Sequence, residues 1–377
     1  MAEETVIPLM GGRRKLTQAE KYYAASQWQL IRWKFGRHKL AVVSLVVLVI
    51  LYTVAFCAPF FTPYNGAVKS DYVNHPPMGI HFTHEGRLTW PFVYGIKKDV
   101  DPNTYQRIFT DDPSTTYRLK FFIKGWEYKL FGLIPGNLHF FGVEKGGYLF
   151  LFGSDDLGHD VFSRVVQAST ISLSIGLVGV FLSFILGCIL GGISGFYGGV
   201  ADTAIQRVIE FLISLPNLPV WMALSAAVPN TWSQVRVYLI ITVILSITGW
   251  CGLARVVRGK LLELREEDYV VAAQVAGTSD WSIILNHLLP GFASYLIVSI
   301  TLAIPGMILG ETALSFIGLG LRPPTISWGV LLQQAQNVRT ITIYPWLLTP
   351  AIVVIITVLA FNFVGDGLRD AADPYVI

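Results

Sequence analysis

The chain has 377 residues, 53% of them hydrophobic and 14% charged, with a formal net charge of +3. Ordinary soluble domains carry about 25% charged residues, and here the shortfall gathers in long stretches free of Asp, Glu, Lys and Arg, the mark of membrane spans. No basic stripe lies outside the flanks of those stretches, so nucleic-acid binding has no support, and Cys57, Cys188 and Cys251 sit in apolar runs as small hydrophobes rather than a disulfide framework.

Residues 1–39 form a basic N-terminal segment that does not resemble a cleaved signal peptide, since the first apolar run begins only near Leu40. Its "ASQWQLIRWKFGRHKL" interleaves Trp, Leu, Ile and Phe with Arg and Lys, which suits either an amphipathic helix on a membrane surface or a plain positive flank. The first span follows at residues 40–61. Residues 62–168 then make a long polar and aromatic loop. Segments such as "YRLKFFIKGWEYKLFGL" are rich in β-favouring residues and are divided by the turns "IPGN" and "EKGG", which fits a small β or irregular subdomain. His75, His81 and His84 with Glu85 have loosely metal-like spacing, but zinc sites show tighter ligand pairs, so a solvated loop is the expectation.

Residues 169–364 hold five further spans: Ser169–Gly191, Phe211–Val228, Tyr238–Leu253, Phe292–Ile317 and Tyr344–Val364. Pro216 and Pro219 break the second of these, and Pro305 and Glu311 interrupt the fourth. Irregular membrane helices are tolerated where they pack on protein or line a cavity, so these four residues are candidate pathway-lining or kinked-helix positions. Intramembrane acids are expensive and usually functional. Glu311 and Glu210 are therefore weighed as a proton relay or, preferably, as packing and lining groups. Residues 365–377 form a short tail.

Basic residues orient the spans. Arg13, Arg14, Lys15, Lys21, Arg32, Lys34, Arg37 and Lys39 share one side with Arg207, Arg255, Arg258, Lys260, Arg265 and Arg369, against Arg236, Arg322 and Arg339 on the other. Both termini and the loop at about residues 254–291 are thus expected in the cytoplasm, and the long 62–168 loop outside. No phosphate-cradling loop is present: the pair Gly259-Lys260 has Ala254 and Leu261 where a P-loop needs Gly and Ser or Thr. No catalytic residue or metal site is expected, and the chain is not read as an enzyme.

The remaining feature is residues 270–290, "VVAAQVAGTSDWSIILNHLLP". Ala272, Ala273 and Ala276 keep one helix side thin. Gly277 suits a left-handed helix end, and Thr278, Ser279 or Asp280 can cap the next helix. Pro290 sets a bend. Thin surfaces beside a sharp turn make a docking element.

This stretch resembles the cytoplasmic EAA loop of ABC importer permeases, E-A-A-x3-G-x9-I-x-L-P. Ala272, Ala273, Gly277, Leu289 and Pro290 match, while Val271 replaces Glu and His287 replaces Ile. "FGSDDLGHDVFSRVVQASTISLSIGL", "GETALSFIGLGLRPPTISWG" and "FNFVGDGLRDAADP" are similar to segments of the C-type permease of oligopeptide and dipeptide importers, with Ser154 and His159 replacing Thr and Arg. The resemblance covers the start of the first span and residues 153–374. Most of the long loop exceeds a typical member.

The resemblance implies an all-α integral membrane fold of six transmembrane helices, the type I (MetI-like) importer permease, with a long extracytoplasmic loop between spans 1 and 2, in a bacterial plasma (inner) membrane. It implies a second homologous permease in a heterodimer, two cytoplasmic ATPases docked on Ala272, Ala273, Ala276, Gly277, Thr278, Leu289 and Pro290, and an extracytoplasmic substrate-binding protein, besides membrane lipid. ATP and Mg would be used by the partners and no cofactor held by this chain. Peptide is the expected substrate, with sugars, nickel or glutathione open. An ion-coupled secondary transporter and a regulatory membrane protein that moves nothing are the readings from other classes.

Overall fold

The structure is a computed structural model that describes residues 25–373, apart from residues 85, 101, 103–106 and 131. Arg13, Arg14, Lys15, Lys21 and Glu85 therefore lie outside the described residues, as does the end of the tail. Helix α1 (Gln27–Arg37) opens with a capping box: Gln29 N–H donates to Ser26 Oγ at 3.4 Å, and Ser26 N–H donates to Gln29 Oε1 at 3.0 Å. At His38 the chain leaves helical geometry, and the ring Nδ1 accepts from Ala41 N–H at 3.1 Å to start α2 (Lys39–Phe56). A one-turn helix α3 (Ala58–Phe61) closes this first span.

The long loop folds as a four-stranded antiparallel meander, β1 (His81–His84), β2 (Arg87–Val100), β3 (Arg107–Leu130) and β4 (Ile134–Val143), in that spatial order. The helical membrane part is thus joined by a sheet within the long loop, in line with that segment's β-rich composition. Its pleat buries Val93 and Leu119 with Met78, Leu149 and Phe150 in a separate small core. His75 is buried against Phe109 and Phe150, and His81 and His84 pack on Phe92 and Tyr94, so these rings serve the aromatic packing.

The helical part continues with α4 (Val161–Tyr197), α5 (Gly199–Ser214), α6 (Asn217–Ala226) and α7 (Gln234–Leu264). After the 270–290 stretch come α8 (Asp268–Val275), α9 (Asp280–Ile283), a π-helical turn Ile284–Leu288, α10 (Ala293–Ile317), α11 (Trp328–Gln334) and α12 (Thr349–Ala372). Among the described residues, five helices are long and apolar enough to cross a membrane, or six if α5 and α6 form one span bent by 89°. Several helices outrun the charge-free windows. Helix α4 begins at Val161, inside the stretch assigned to the loop. Helix α7 runs on to Leu264 through Arg255, Arg258 and Lys260, and α12 runs past Val364 to Ala372. A charge ends an apolar window but not a helix, because backbone hydrogen bonds do not read side-chain polarity.

Helices α4 and α7 run parallel and touch along their length. Tyr238 Oη donates to Ser174 Oγ at 3.1 Å near one end, and Ser246 Oγ donates to the Gly179 carbonyl at 3.0 Å midway. Toward the other end Gly187, Gly191 and Gly195 make the contact one backbone thick. A Cβ at Gly191 would lie 2.6 Å from the Ala254 carbonyl oxygen, and one at Gly195 would lie 2.8 Å from that of Arg258. Small residues every fourth position let membrane helices approach this closely.

The contacts also fix the two ends of the bundle. Thr170 Oγ1, near the start of α4, donates to the Ala55 carbonyl near the end of α2, so those helices are antiparallel. Phe35 of α1 and Ala41 of α2 lie against Gly367 of α12. Both described chain ends therefore share one end of the bundle with Tyr197, Leu264 and the 270–290 stretch. The β-sheet occupies the other.

Candidate functional site

Helix α8 stops where the sequence has Gly277, and two backbone hydrogen bonds close the stop. Gly277 takes φ +78°, its N–H reaches the Gln274 carbonyl at 2.9 Å, and the next N–H, of Thr278, reaches back to Ala273 at 3.0 Å. This pair of bonds is the Schellman ending, which needs a residue in the left-handed region. A Cβ at Gly277 would meet no atom within 4 Å. The glycine is required by the backbone, and its surroundings in this chain are open. Ser279 holds the N-cap position of α9, but its side chain makes no capping bond, contrary to the expectation for that segment.

Underneath, the elbow is anchored by an apolar cluster. Val270, Ile283, Ile284 and Leu288 are buried against Val257 and Leu261 of α7 and Cys188 of α4, with Ala273 and Leu289 packed at the edge. The opposite face is bare: Ala272, Ala276, Gly277 and Pro290 are exposed, Val275 is 85% exposed, and Val271, Trp281 and Leu285 are about half exposed. Thr278 is half-buried. The candidate docking residues thus divide, with Ala273, Thr278 and Leu289 on the seated side and the rest facing out. Pro290 does not make the bend by itself. The chain stays helical through Leu289–Gly291 and breaks at Phe292, with φ −127° and ψ 28°, before α10 begins.

Sequence reasoning missed the polar clamp beneath the elbow. Arg258 Nε and a terminal nitrogen donate to the two oxygens of Asp202, each at 2.6 Å, and Asp202 also accepts from Ser194 Oγ at 2.5 Å. This joins α7, the first turn of α5 and the last turns of α4. Only the basic character of Arg258 was legible, because its partner lies far away in sequence. The π-helical turn Ile284–Leu288 was likewise invisible in the pattern.

The candidate pathway residues occupy different settings. Pro216 occupies the N-cap of α6, at the 89° break, and Pro219 lies in the first turn. Proline there removes a donor and pushes its predecessor out of helical geometry. Pro305, by contrast, is buried inside an α10 that runs unbroken past it, so the expected break in that span is absent. Glu311 is fully buried. Its Oε1 accepts from Ser315 Oγ at 2.8 Å and Ser327 Oγ at 2.7 Å, and Oε2 accepts from Ser172 Oγ at 3.2 Å. It is the hub that fastens α4, α10 and α11. Glu210 is exposed and paired with Arg207 at 2.7 Å one turn away. A cavity of about 340 Å³ does lie between α6, α7 and the loop after α10, lined by Ser225, Trp232, Ile241, Leu319 and Arg322, of which the sequence had marked only Arg322, and only as a basic residue that orients the spans.

At the sheet end a second polar knot holds the start of α4. Asp155 accepts from the backbone N–H groups of Leu157 and His159 at 2.9 and 2.8 Å, from the His159 ring at 2.8 Å and from Arg164, which also reaches Gln334 at 3.2 Å. Burial alone would raise the Asp155 pKa, but the His159 hydrogen bond and the Arg164 charge outweigh it and hold it below the usual value. Asp160 caps α4 by accepting from Ser163 N–H at 2.8 Å, and burial pushes its pKa up to about 7.

Comparison with known proteins gives the following. The sequence model described as "Binding-protein-dependent transport system inner membrane component" matches residues 183–377, and one described as "N-terminal TM domain of oligopeptide transport permease C" matches residues 26–77. The oligopeptide transport system permease protein OppC of Bacillus subtilis is 38% identical over 224 residues, 59% of this chain and 71% of the relative. The dipeptide transport system permease protein DppC of the same organism is 40% identical over 225 residues, 59% of this chain and 68% of the relative. Among solved structures, an inward-facing MetNI methionine ABC transporter chain aligns with a TM-score of 0.43 at 18% identity, over 56% of this chain and 97% of that one, a likeness too slight to bear on the fold.

Proposed function

The chain belongs to the family of binding-protein-dependent transport system inner membrane components, and from that premise we propose that it is a permease subunit of an ATP-driven importer for oligopeptides or dipeptides. It is a multi-pass membrane protein of an ABC importer. Its finer arrangement follows from the elbow. The single observation that carries the reading is a glycine-stopped helix with a bare alanine face, rooted on α4 and α7 at the end of the bundle that also holds both described chain ends.

That arrangement suits a lever. A cytoplasmic ATPase seated on Ala272, Ala276 and Gly277 would push α8 as a rigid piece. Val270, Ile283 and Leu288 would pass the motion to α4 and α7, and the Asp202–Arg258 clamp would keep α5 in step. Closure of an ATPase pair favours one of two permease states and so shifts the balance between openings to either side. ATP and Mg belong to those partners. A second, homologous permease completes the pathway, with the bent α5–α6 segment as its candidate wall. A binding protein delivers substrate at the sheet end. The elbow end, with its basic residues, faces the cytoplasm.

The test is reconstitution with the partner permease, ATPases and binding protein in vesicles. Labelled peptide should accumulate only with ATP and binding protein. Accumulation driven by a pH gradient with no ATPase present would overturn the reading in favour of a secondary transporter, and the burial of Glu311 among three serine hydroxyls speaks against that alternative.

A further inference from the structure

Helix α2 is a peripheral span. On it Val43, Val46, Val49, Ile50 and Phe56 are each more than half exposed, a face turned away from the bundle and, in a membrane protein, toward lipid. That face does not end with the helix. The ring of Phe60 lies 6.3 Å from Phe122 and 6.0 Å from Phe140, and Phe61 lies 5.6 Å from Phe140. Both Phe121 and Phe122 stand 5.8 Å from Phe140.

Two features show that this juxtaposition is built. His139, fully buried on β4, places Nδ1 2.9 Å from the Pro59 carbonyl oxygen and Nε2 3.0 Å from that of Trp126, so it pins the sheet to the end of the span. Phe122 takes φ +54°. Consecutive strand residues ordinarily point to opposite faces, yet Phe121 and Phe122 both reach Phe140, and the left-handed backbone permits it. A bulky residue is rarely found there and persists only where its surroundings demand it. The result leaves Phe122 61% exposed and Phe121 47% exposed.

We propose that the Phe121–Phe122–Phe140 face of the sheet rests in the boundary between lipid headgroups and acyl chains, as a continuation of the lipid face of α2. Aromatic rings favour that depth, and the exposed Lys124 on the same strand can keep its charge in the headgroup layer while its stem lies along the rings. The sheet is then a membrane-resting platform beside the permease, held at a set height. This concerns lipid contact alone and stands whatever solute is carried.

The test uses the full chain with its partner subunits in phosphatidylethanolamine–phosphatidylglycerol vesicles. Nitroxide labels are placed through Phe122→Cys, Phe140→Cys, Phe56→Cys and Leu88→Cys in a background carrying Cys57→Ala, Cys188→Ala and Cys251→Ala. Leu88, 88% exposed on β2 beside its turn to β1, is the water reference. Labels at residues 122 and 140 should collide with oxygen in preference to a water-soluble nickel chelate, as at residue 56, with the opposite ratio at 88. A ratio at 122 and 140 like that at 88 would overturn the proposal. So would shielding from both reagents, which would mean that a protein covers the face. Because Phe122→Cys also relaxes the backbone, the unaltered chain is crosslinked with a photoactivatable phospholipid. Adducts in residues 119–124 support the proposal, and adducts confined to α2 overturn it.

Discussion

Arg258 holds the carboxylate of Asp202 in a fork, one nitrogen to each oxygen at 2.6 Å, and so locks α7 to the first turn of α5, next in sequence to Val257 on which the elbow is seated. Arg258→Lys keeps the charge and loses the planar fork. The pair is partly exposed, so the expected loss of stability is about 1 kcal/mol. The larger effect should be on coupling, with ATP hydrolysis continuing while uptake falls. A double-mutant cycle with Asp202→Asn, read by thermal unfolding and by the ratio of uptake to hydrolysis, checks it. Fully additive losses would mean that the two residues do not act together.

The elbow makes a sharper separation possible. Gly277→Val forces a branched side chain into the left-handed region, at a cost of roughly 1–2 kcal/mol, whereas Gly277→Asn fits that region and should be milder. Ala276→Leu enlarges the bare face and should abolish ATPase co-purification with an unchanged melting temperature. Ala273→Leu presses on the cluster below and should lower the melting temperature. Membrane insertion should survive in all four. Normal ATPase co-purification with Ala276→Leu and Gly277→Val would remove the docking role.

Glu311 should behave as a fastener. Glu311→Ala leaves Ser172, Ser315 and Ser327 without their acceptor and opens a void, at an expected cost of about 2–4 kcal/mol. Glu311→Gln can keep the same neighbours with reoriented hydroxyls, and ATP-driven uptake should be nearly unchanged. Abolished uptake in a stable Glu311→Gln protein would instead point to proton transfer.

Asp160 should make the sheet end sensitive to pH. Its carboxyl is pushed by burial to about 7 from an unperturbed 3.8, so the folded chain holds a proton there that the unfolded chain has already released. Stability from this group is greatest below about pH 4, declines as pH rises through 7, and levels off above, with a slope of at most about 1.4 kcal/mol per pH unit. Asp155, shifted the opposite way, acts only at lower pH. Melting temperatures at pH 5 and pH 8 should converge in Asp160→Asn, which keeps the helix cap. An undiminished difference in that variant would assign the pH response elsewhere.

Local signals were legible where the chemistry is local. The left-handed turn at Gly277 follows from one residue type after an apolar helix, and the break at Pro216 from a missing N–H. The β-rich loop could be read from alternation and turn residues, but its four-strand register could not. Helices run beyond the apolar windows, from Val161, to Leu264 and to Ala372, because hydropathy marks where a segment is apolar, not where its hydrogen bonds stop.

What the sequence determined alone was membrane residence and the glycine-stopped elbow, since each depends on composition or on neighbours a few residues away. What only the tertiary structure decided was which partners distant groups find. Asp202 meets Arg258, Glu311 meets Ser172 and Ser327, and Phe122 meets Phe60. Such pairings are set by how helices and strands pack, and a charge, a hydroxyl or a ring carries no record in its own neighbourhood of the group it will face.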